Sequence, residues 1–309
     1  MTFAILCSGQ GRQHSNMFAL TADAPEASGL FSRGAFLLGG RDPRELVKTE
    51  SPEGLHQNRV GQILCALQAL AAAAALRCSI HGRFIVAGYS VGEMAAWGVA
   101  GLIEAHMVLD LVRQRADAMD AASPRDDGLL FVRGLSQLSV CALCARHDVA
   151  IAIINPGDAF VLGGRLSALR SLSDEVKGMS GTRVVDLPIE VASHTPRLAM
   201  ASAEFRKILR ATPVAFPSDL RTRLLSGIDG APVLDAQTGK DKLADQISQT
   251  LHWAECLQGC IEGGANKFLE LGPGSALSDM VAGAYPGVST RSLDEFKTLQ
   301  GARAWLSST

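Results

Sequence analysis

Short apolar runs of four or five residues alternate along the chain with longer stretches in which apolar positions recur every three or four residues. The short runs, at 3–7, 84–87, 223–226, 267–271 and 288–292, predict strands buried on both faces. The longer patterns, at 61–76, 91–99, 103–121, 196–209 and 242–261, predict helices. Strands and helices in alternation predict an α/β fold with a mostly parallel sheet.

Between 128 and 190 the rhythm changes. A strand at 129–133, a helix at 138–146, strands at 149–154 and 159–162, a helix at 166–177 and a strand at 183–189 give the order βαββαβ. The turn Asn155-Pro156-Gly157-Asp158 joins the middle pair. This is the ferredoxin-like unit. The expected organisation is an α/β-hydrolase-like body of residues 1–127 and 191–309, with residues 128–190 inserted as a small ferredoxin-like subdomain. The polar, Pro-containing segment 122–128 serves as the hinge into it.

Composition narrows the class. Of 309 residues, 47% are apolar and 19% charged, as in a globular protein with a sizeable core. Twenty-nine basic and 31 acidic side chains leave a net charge of −2 without long runs, which speaks against a nucleic-acid partner or an electrostatic membrane anchor. The greasiest segment, 66–76, is alanine-rich and shorter than the roughly 18 residues of a spanning helix, so it is expected as a buried helix against a sheet. The first residues have neither the basic start nor the apolar length of a signal peptide. Seven scattered cysteines favour a reducing, cytoplasmic setting over a disulfide framework. Cys141 with Cys144, and Cys256 with Cys260, lack the second pair a zinc site needs, so no metal is expected.

Chemistry concentrates at Gly88-Tyr89-Ser90-Val91-Gly92, after one predicted strand and before one predicted helix. A serine in G-x-S-x-G at a strand-to-helix turn is a nucleophile elbow, although five residues alone also describe a glycine-rich turn. Such a serine needs a base. His194 stands where the small unit returns to the body, and His252 competes with it because a hydrolase-like order puts the base late. Spacing does not choose between them. Arg115 lies in the apolar stripe of Val108, Leu111, Val112 and Met119, where a guanidinium needs an anion. An internal acid and a substrate carboxylate both satisfy that need. Gly9-Gln10-Gly11 follows the first strand, at the sheet edge where ligands bind.

Ser8-Gly9-Gln10-Gly11, Gly88-Tyr89-Ser90-Val91-Gly92-Glu93, Arg115, Ser193-His194 and Leu269-Glu270-Leu271-Gly272-Pro273-Gly274 together resemble the malonyl-CoA:acyl carrier protein transacylases, in order and in near-family spacing over the whole chain. The resemblance implies Ser90 as nucleophile and His194 as general base. It implies Arg115 as the partner of the malonyl carboxylate, and the backbone N–H groups of Gln10 and Val91 as an oxyanion hole. Gln246, seven residues before Trp253, would orient the histidine through its carbonyl, and Asn155 would line the cleft. Malonyl-CoA would be the substrate and an acyl carrier protein the partner, with no bound cofactor. Val191-Ala192-Ser193-His194 is similar to the motif of malonyl-selective polyketide domains.

Cys7-Ser8 replaces the common Phe-Pro, and Tyr89 stands where a histidine often precedes the serine. With these departures, the segments 6–14 and 87–102 look closest to the epsilon subunit of biotin-independent malonate decarboxylase, whose acceptor is a carrier subunit. A housekeeping fatty-acid transacylase is the alternative. An α/β-hydrolase esterase, which would not need Arg115, and a non-catalytic binding subunit are more remote.

Overall fold

The computed structural model describes residues 2–80, 82–215 and 221–308. Ten strands are present among them: β1 Thr2–Cys7, β2 Arg83–Gly88, β3 Asp127–Arg133, β4 Ala150–Asn155, β5 Ala159–Arg165, β6 Arg183–Leu187, β7 Thr222–Leu224, β8 Leu251–His252, β9 Ala265–Glu270 and β10 Ser289–Ser292. The first sheet has the order β10-β9-β1-β2-β7, and every pairing in it is parallel. Ala4, Ile5, Leu6 and Cys7 of the central β1 are all fully buried, because helices cover both faces. The expected α/β fold with a mostly parallel sheet is the one observed, with a second, mixed sheet beside it.

The second sheet has the order β6-β3-β5-β4-β8. Its first four strands pair antiparallel, and the helices Gln137–His147 and Leu166–Lys177 complete the βαββαβ unit. β8 adds to its edge in parallel with β4, through Ile153 opposite Leu251 and Ile154 opposite His252. That strand corrects one expectation. The stretch 242–261 is not one helix but Ala236–Asp245 and Trp253–Glu262, with β8 between them. Pairing with β4 outweighs the helical periodicity there, and the turn it creates exposes the main chain of Gln246 and Ile247 to the site described below. Leu129, Ile153 and Val161 of the small sheet share an apolar cluster with Ala4, Leu6, Ile85 and Phe268 of the large one.

The helix Asn58–Leu76 packs against the helices Gly92–Val99 and Ala105–Ala122. Together with the short turn after it, this helix is long and apolar enough to cross a membrane, yet 83% of its apolar window is buried inside the protein. It is a core helix, as the alanine content predicts. Three short helices at Ser28–Leu37, Pro43–Thr49 and Pro52–His56 were not legible in the pattern. All seven cysteines are free thiols.

Candidate active site

The elbow between β2 and the helix Gly92–Val99 is fixed by its two glycines. A Cβ on Gly88 would lie 2.2 Å from the Glu93 nitrogen, and one on Gly92 would lie 2.0 Å from the Cys7 carbonyl oxygen. No other residue fits either position. Ser90 between them adopts a left-handed backbone with φ of 56°, a conformation that costs energy and that the surroundings must enforce. The turn brings the hydroxyl to the carboxyl end of the parallel sheet, over the first turn of the following helix.

Ser90 Oγ lies 2.8 Å from Nε2 of His194. His194 also has a left-handed backbone, with φ of 62°, and its N–H donates to the Ile247 carbonyl at 2.8 Å. Its Nδ1 lies 2.5 Å from the Gln246 carbonyl oxygen. A carbonyl accepts only, so Nδ1 carries the proton and the Nε2 lone pair faces the serine hydroxyl. Burial, and then the positive charge of Arg115, pull the imidazole pKa down to about 3, against the opposing pull of the Gln246 carbonyl. The ring is therefore neutral and ready to accept a proton. His252 instead pairs with Glu255 at 3.1 Å and is partly exposed.

Arg115 comes from the helix Ala105–Ala122 and is 1% exposed. Its Nη1 donates to Gln62 Oε1 at 2.6 Å and its Nη2 to Gln246 Oε1 at 2.9 Å. Nε has no partner among the described residues, and no carboxylate there forms an ion pair with the guanidinium. Of the two readings open in the sequence, a directly paired internal acid is absent. Glu93 is the one acid that opposes the fall that burial imposes on the Arg115 pKa, now about 10. Arg115 remains a cation with donor capacity unspent.

The loop after β1 lies on the elbow: a Cβ on Gly9 would lie 2.7 Å from the Tyr89 carbonyl oxygen and 3.4 Å from Ser90 Cβ. Among the described residues, the backbone N–H groups of Gln10 and Val91 donate to no protein acceptor. Ser8 anchors the loop by donating to Glu270 Oε1 at 2.6 Å, while Glu270 Oε2 accepts from the backbone N–H groups of Leu277 and Ser278. Burial still raises the Glu270 pKa to about 7, with Ser8 the first group opposing it.

Asn155 ends β4, is 4% exposed, and among the described residues has no hydrogen-bond partner within bonding geometry for either side-chain polar atom. It is the one group that opposes the rise that burial imposes on the pKa of the half-buried Tyr89, to about 12. The Tyr89 ring meets Trp253 edge-on, with centroids 5.3 Å apart.

The arrangement can deprotonate a serine, hold an oxyanion and receive a carboxylate. The profile of the acyl transferase domain family matches residues 5–292. The chain belongs to that acyl transferase family. Among its relatives, the malonyl CoA-acyl carrier protein transacylase of Mycobacterium tuberculosis H37Rv is 31% identical over 297 residues, covering 94% of this chain and 95% of the relative. Two crystal structures of family members have the same fold. The acyl-carrier-protein S-malonyltransferase of Burkholderia pseudomallei 1710b has a TM-score of 0.89 at 28% identity, over 98% of this chain and 100% of that one. The M. tuberculosis enzyme has a TM-score of 0.89 at 29% identity, over the full length of both.

Two residues of this acyltransferase site escaped the sequence reading. Gln62 and Glu93 sit in apolar helices, and each is fully or almost fully buried. A polar residue inside a mostly apolar helical stretch was the available signal.

Proposed function

We propose that this acyltransferase moves a malonyl group from malonyl-CoA to the prosthetic-group thiol of an acyl carrier protein through a malonyl-Ser90 intermediate. The observation that carries the reading is Arg115, a buried cation with donors to spare and no carboxylate in contact, held beside a serine–imidazole pair. A buried guanidinium without a counter-ion is costly, and a substrate carboxylate supplies one. The names of the relatives support the same substrate and partner.

Nε2 of His194 takes the Ser90 proton as Oγ attacks the thioester carbon. The developing oxyanion is held by the N–H groups of Gln10 and Val91. The carbonyl re-forms, the C–S bond breaks, and the imidazolium returns the proton to the departing sulfur. A carrier thiol then gives its proton to His194, attacks the malonyl ester and releases Ser90, whose oxygen recovers the proton. The carbonyl of Gln246 holds the imidazole in the right tautomer throughout, so the unit is a dyad without an acidic third member. Asn155 offers its unpartnered amide to the acyl group or the pantetheine arm. We assign the lobes as 1–127 with 191–309 and 128–190, in a cytoplasmic enzyme of free thiols.

The carrier has two readings. The relatives' names support a carrier protein of the fatty-acid or polyketide type. The Cys7-Ser8 and Tyr89 departures alone underlie the malonate decarboxylase reading, and the relatives' names support the fatty-acid or polyketide transacylase better. The test is intact mass after brief incubation with malonyl-CoA, followed by each purified carrier in turn. A malonyl-sized adduct absent from Ser90→Ala supports the transacylase, and the carrier that discharges it faster is the acceptor. A folded wild-type protein that gains no adduct would overturn the reading.

A further inference from the structure

Gln246 uses every polar atom of its amide. Oε1 accepts from Arg115, while Nε2 donates to the Ser90 carbonyl at 2.9 Å and to Glu93 Oε2 at 2.7 Å. Its main-chain carbonyl, on the other side, holds Nδ1 of His194. One residue thus touches the cation with its side chain, the elbow with its amide nitrogen and the base with its backbone.

The orientation of that amide is not neutral. A guanidinium only donates, so only the oxygen end can face Arg115. The nitrogen end then presents two N–H groups that need two acceptors, and the Ser90 carbonyl supplies one. Glu93 Oε2 supplies the other at 2.7 Å, and this hydrogen bond is the first influence to oppose the rise that burial imposes on the Glu93 pKa, to about 7. Glu93 is itself 1% exposed, with Oε2 also accepting from the Gly227 N–H at 3.1 Å and Oε1 unpartnered among the described residues. A carboxylate so placed carries a desolvation cost that a cap on one backbone N–H does not explain.

We infer that Glu93 is the positioning residue that locks the Gln246 amide and so holds Arg115 ready for the substrate carboxylate, tying acyl selection to the elbow. The inference rests on the reading of Arg115 as the malonyl clamp. Without the carboxylate, the amide keeps the Ser90 carbonyl but loses the second, stronger acceptor of its N–H groups, which loosens the Gln246 anchor of Arg115. Malonyl transfer suffers more than transfer of an acyl group that lacks the carboxylate.

The test is the ratio of kcat/KM for malonyl-CoA to that for acetyl-CoA, read as the rate of Ser90 acylation. Glu93→Gln keeps the volume and loses the charge, and the ratio is expected to fall about tenfold or more, with the loss chiefly in KM for malonyl-CoA. Gln246→Leu, which leaves the main-chain carbonyl for His194, is expected to show the same loss, and the double variant no more than either single one. A merely structural Glu93 would lower both acylation rates together. A wild-type ratio in folded Glu93→Gln, with the ratio lost in Arg115→Ala, would overturn the inference while leaving the clamp intact. An unmoved ratio in Arg115→Ala would remove the clamp and the inference with it. Should Glu93→Gln not fold, Gln246→Leu alone decides, and a retained ratio there counts against the proposal.

Discussion

The main-chain carbonyl of Gln246 accepts from Nδ1 of His194 at 2.5 Å, so the imidazole is oriented by backbone rather than by an acidic side chain. A carbonyl cannot be removed by substitution and carries no full charge. The base therefore keeps its tautomer whatever side chain stands at position 246, and it becomes imidazolium only transiently. His194→Ala leaves Ser90 with its oxyanion donors but no proton acceptor. The rate of malonyl-serine formation is expected to fall by about 10²–10⁴, the range for general-base loss. Quenched-flow mass spectrometry reads this directly, and a loss smaller than tenfold would remove His194 from the role.

The pH dependence follows from the same burial. The imidazole pKa is lowered to about 3 by desolvation first and Arg115 second. In the free enzyme, the acidic limb of kcat/KM for acylation is expected well below the ordinary imidazole value near 6.5. A carboxylate on Arg115 neutralises the second cause, so the limb in kcat lies at higher pH than the limb in kcat/KM. For stability the sign is also fixed. The unfolded chain binds this proton below about 6.5 and the folded one does not, so this contribution is present above 6.5 and lost as pH falls towards 3. Coincident limbs near 6.5 in both profiles would contradict the geometry.

Gly92 tests the elbow. Its missing Cβ would lie 2.0 Å from the Cys7 carbonyl oxygen, a backbone atom that cannot swing aside. Gly92→Ala is expected to cost at least the 1–3 kcal/mol typical of overpacking, read as a fall in denaturation midpoint. It should also displace Ser90, whose left-handed backbone depends on the turn. A variant as stable and active as wild type would mean that the turn is looser than described.

What the sequence shows and hides can be traced to particular residues. β1 and β2 were legible because strands buried on both faces leave unbroken apolar runs, and Ser90 because only glycine fits positions 88 and 92 that flank it. His194 and His252 could not be separated by pattern, since the choice depends on which main-chain carbonyl faces the ring. The break between 245 and 253 was hidden because the apolar periodicity continues through it, while β4, a hundred residues earlier, dictates a strand. Glu93 was visible as a letter and not as a buried anion. Its partner Gln246 is 153 residues away, and Ser8 and Glu270 meet across 262.

Ser8 gives a prediction that depends on pH. Ser8→Ala removes one of the three donors to the buried Glu270 carboxylate, and hydrogen bonds to charged groups contribute about 1.5–3 kcal/mol. The Glu270 pKa is raised to about 7, so the carboxylate is charged above that pH and neutral below it. The destabilisation is expected to be larger at pH 8 than at pH 6, because the serine hydroxyl matters most to the anion. Thermal denaturation of both proteins at the two pH values measures it, and an equal cost at both would show that Glu270 does not titrate in this range.

Arg115→Lys separates charge from shape. The guanidinium spans Gln62 and Gln246 with two nitrogens, 2.6 and 2.9 Å from their side-chain oxygens, and keeps Nε unbonded. A lysine retains the charge as a single point on a flexible stem and cannot hold both glutamines and a planar carboxylate together. It also keeps the field that depresses His194, so acylation by acetyl-CoA should change little in its pH dependence. The kcat/KM for malonyl-CoA is expected to fall about 30-fold or more, within the 2–5 kcal/mol range for disrupting a buried charge pair. Arg115→Ala, by contrast, removes the field as well and should raise the acidic limb of the acetyl reaction. If lysine supports malonyl transfer at the wild-type rate, the site needs only positive charge, and the fork that Gln62 and Gln246 hold in place has no part in selecting the substrate.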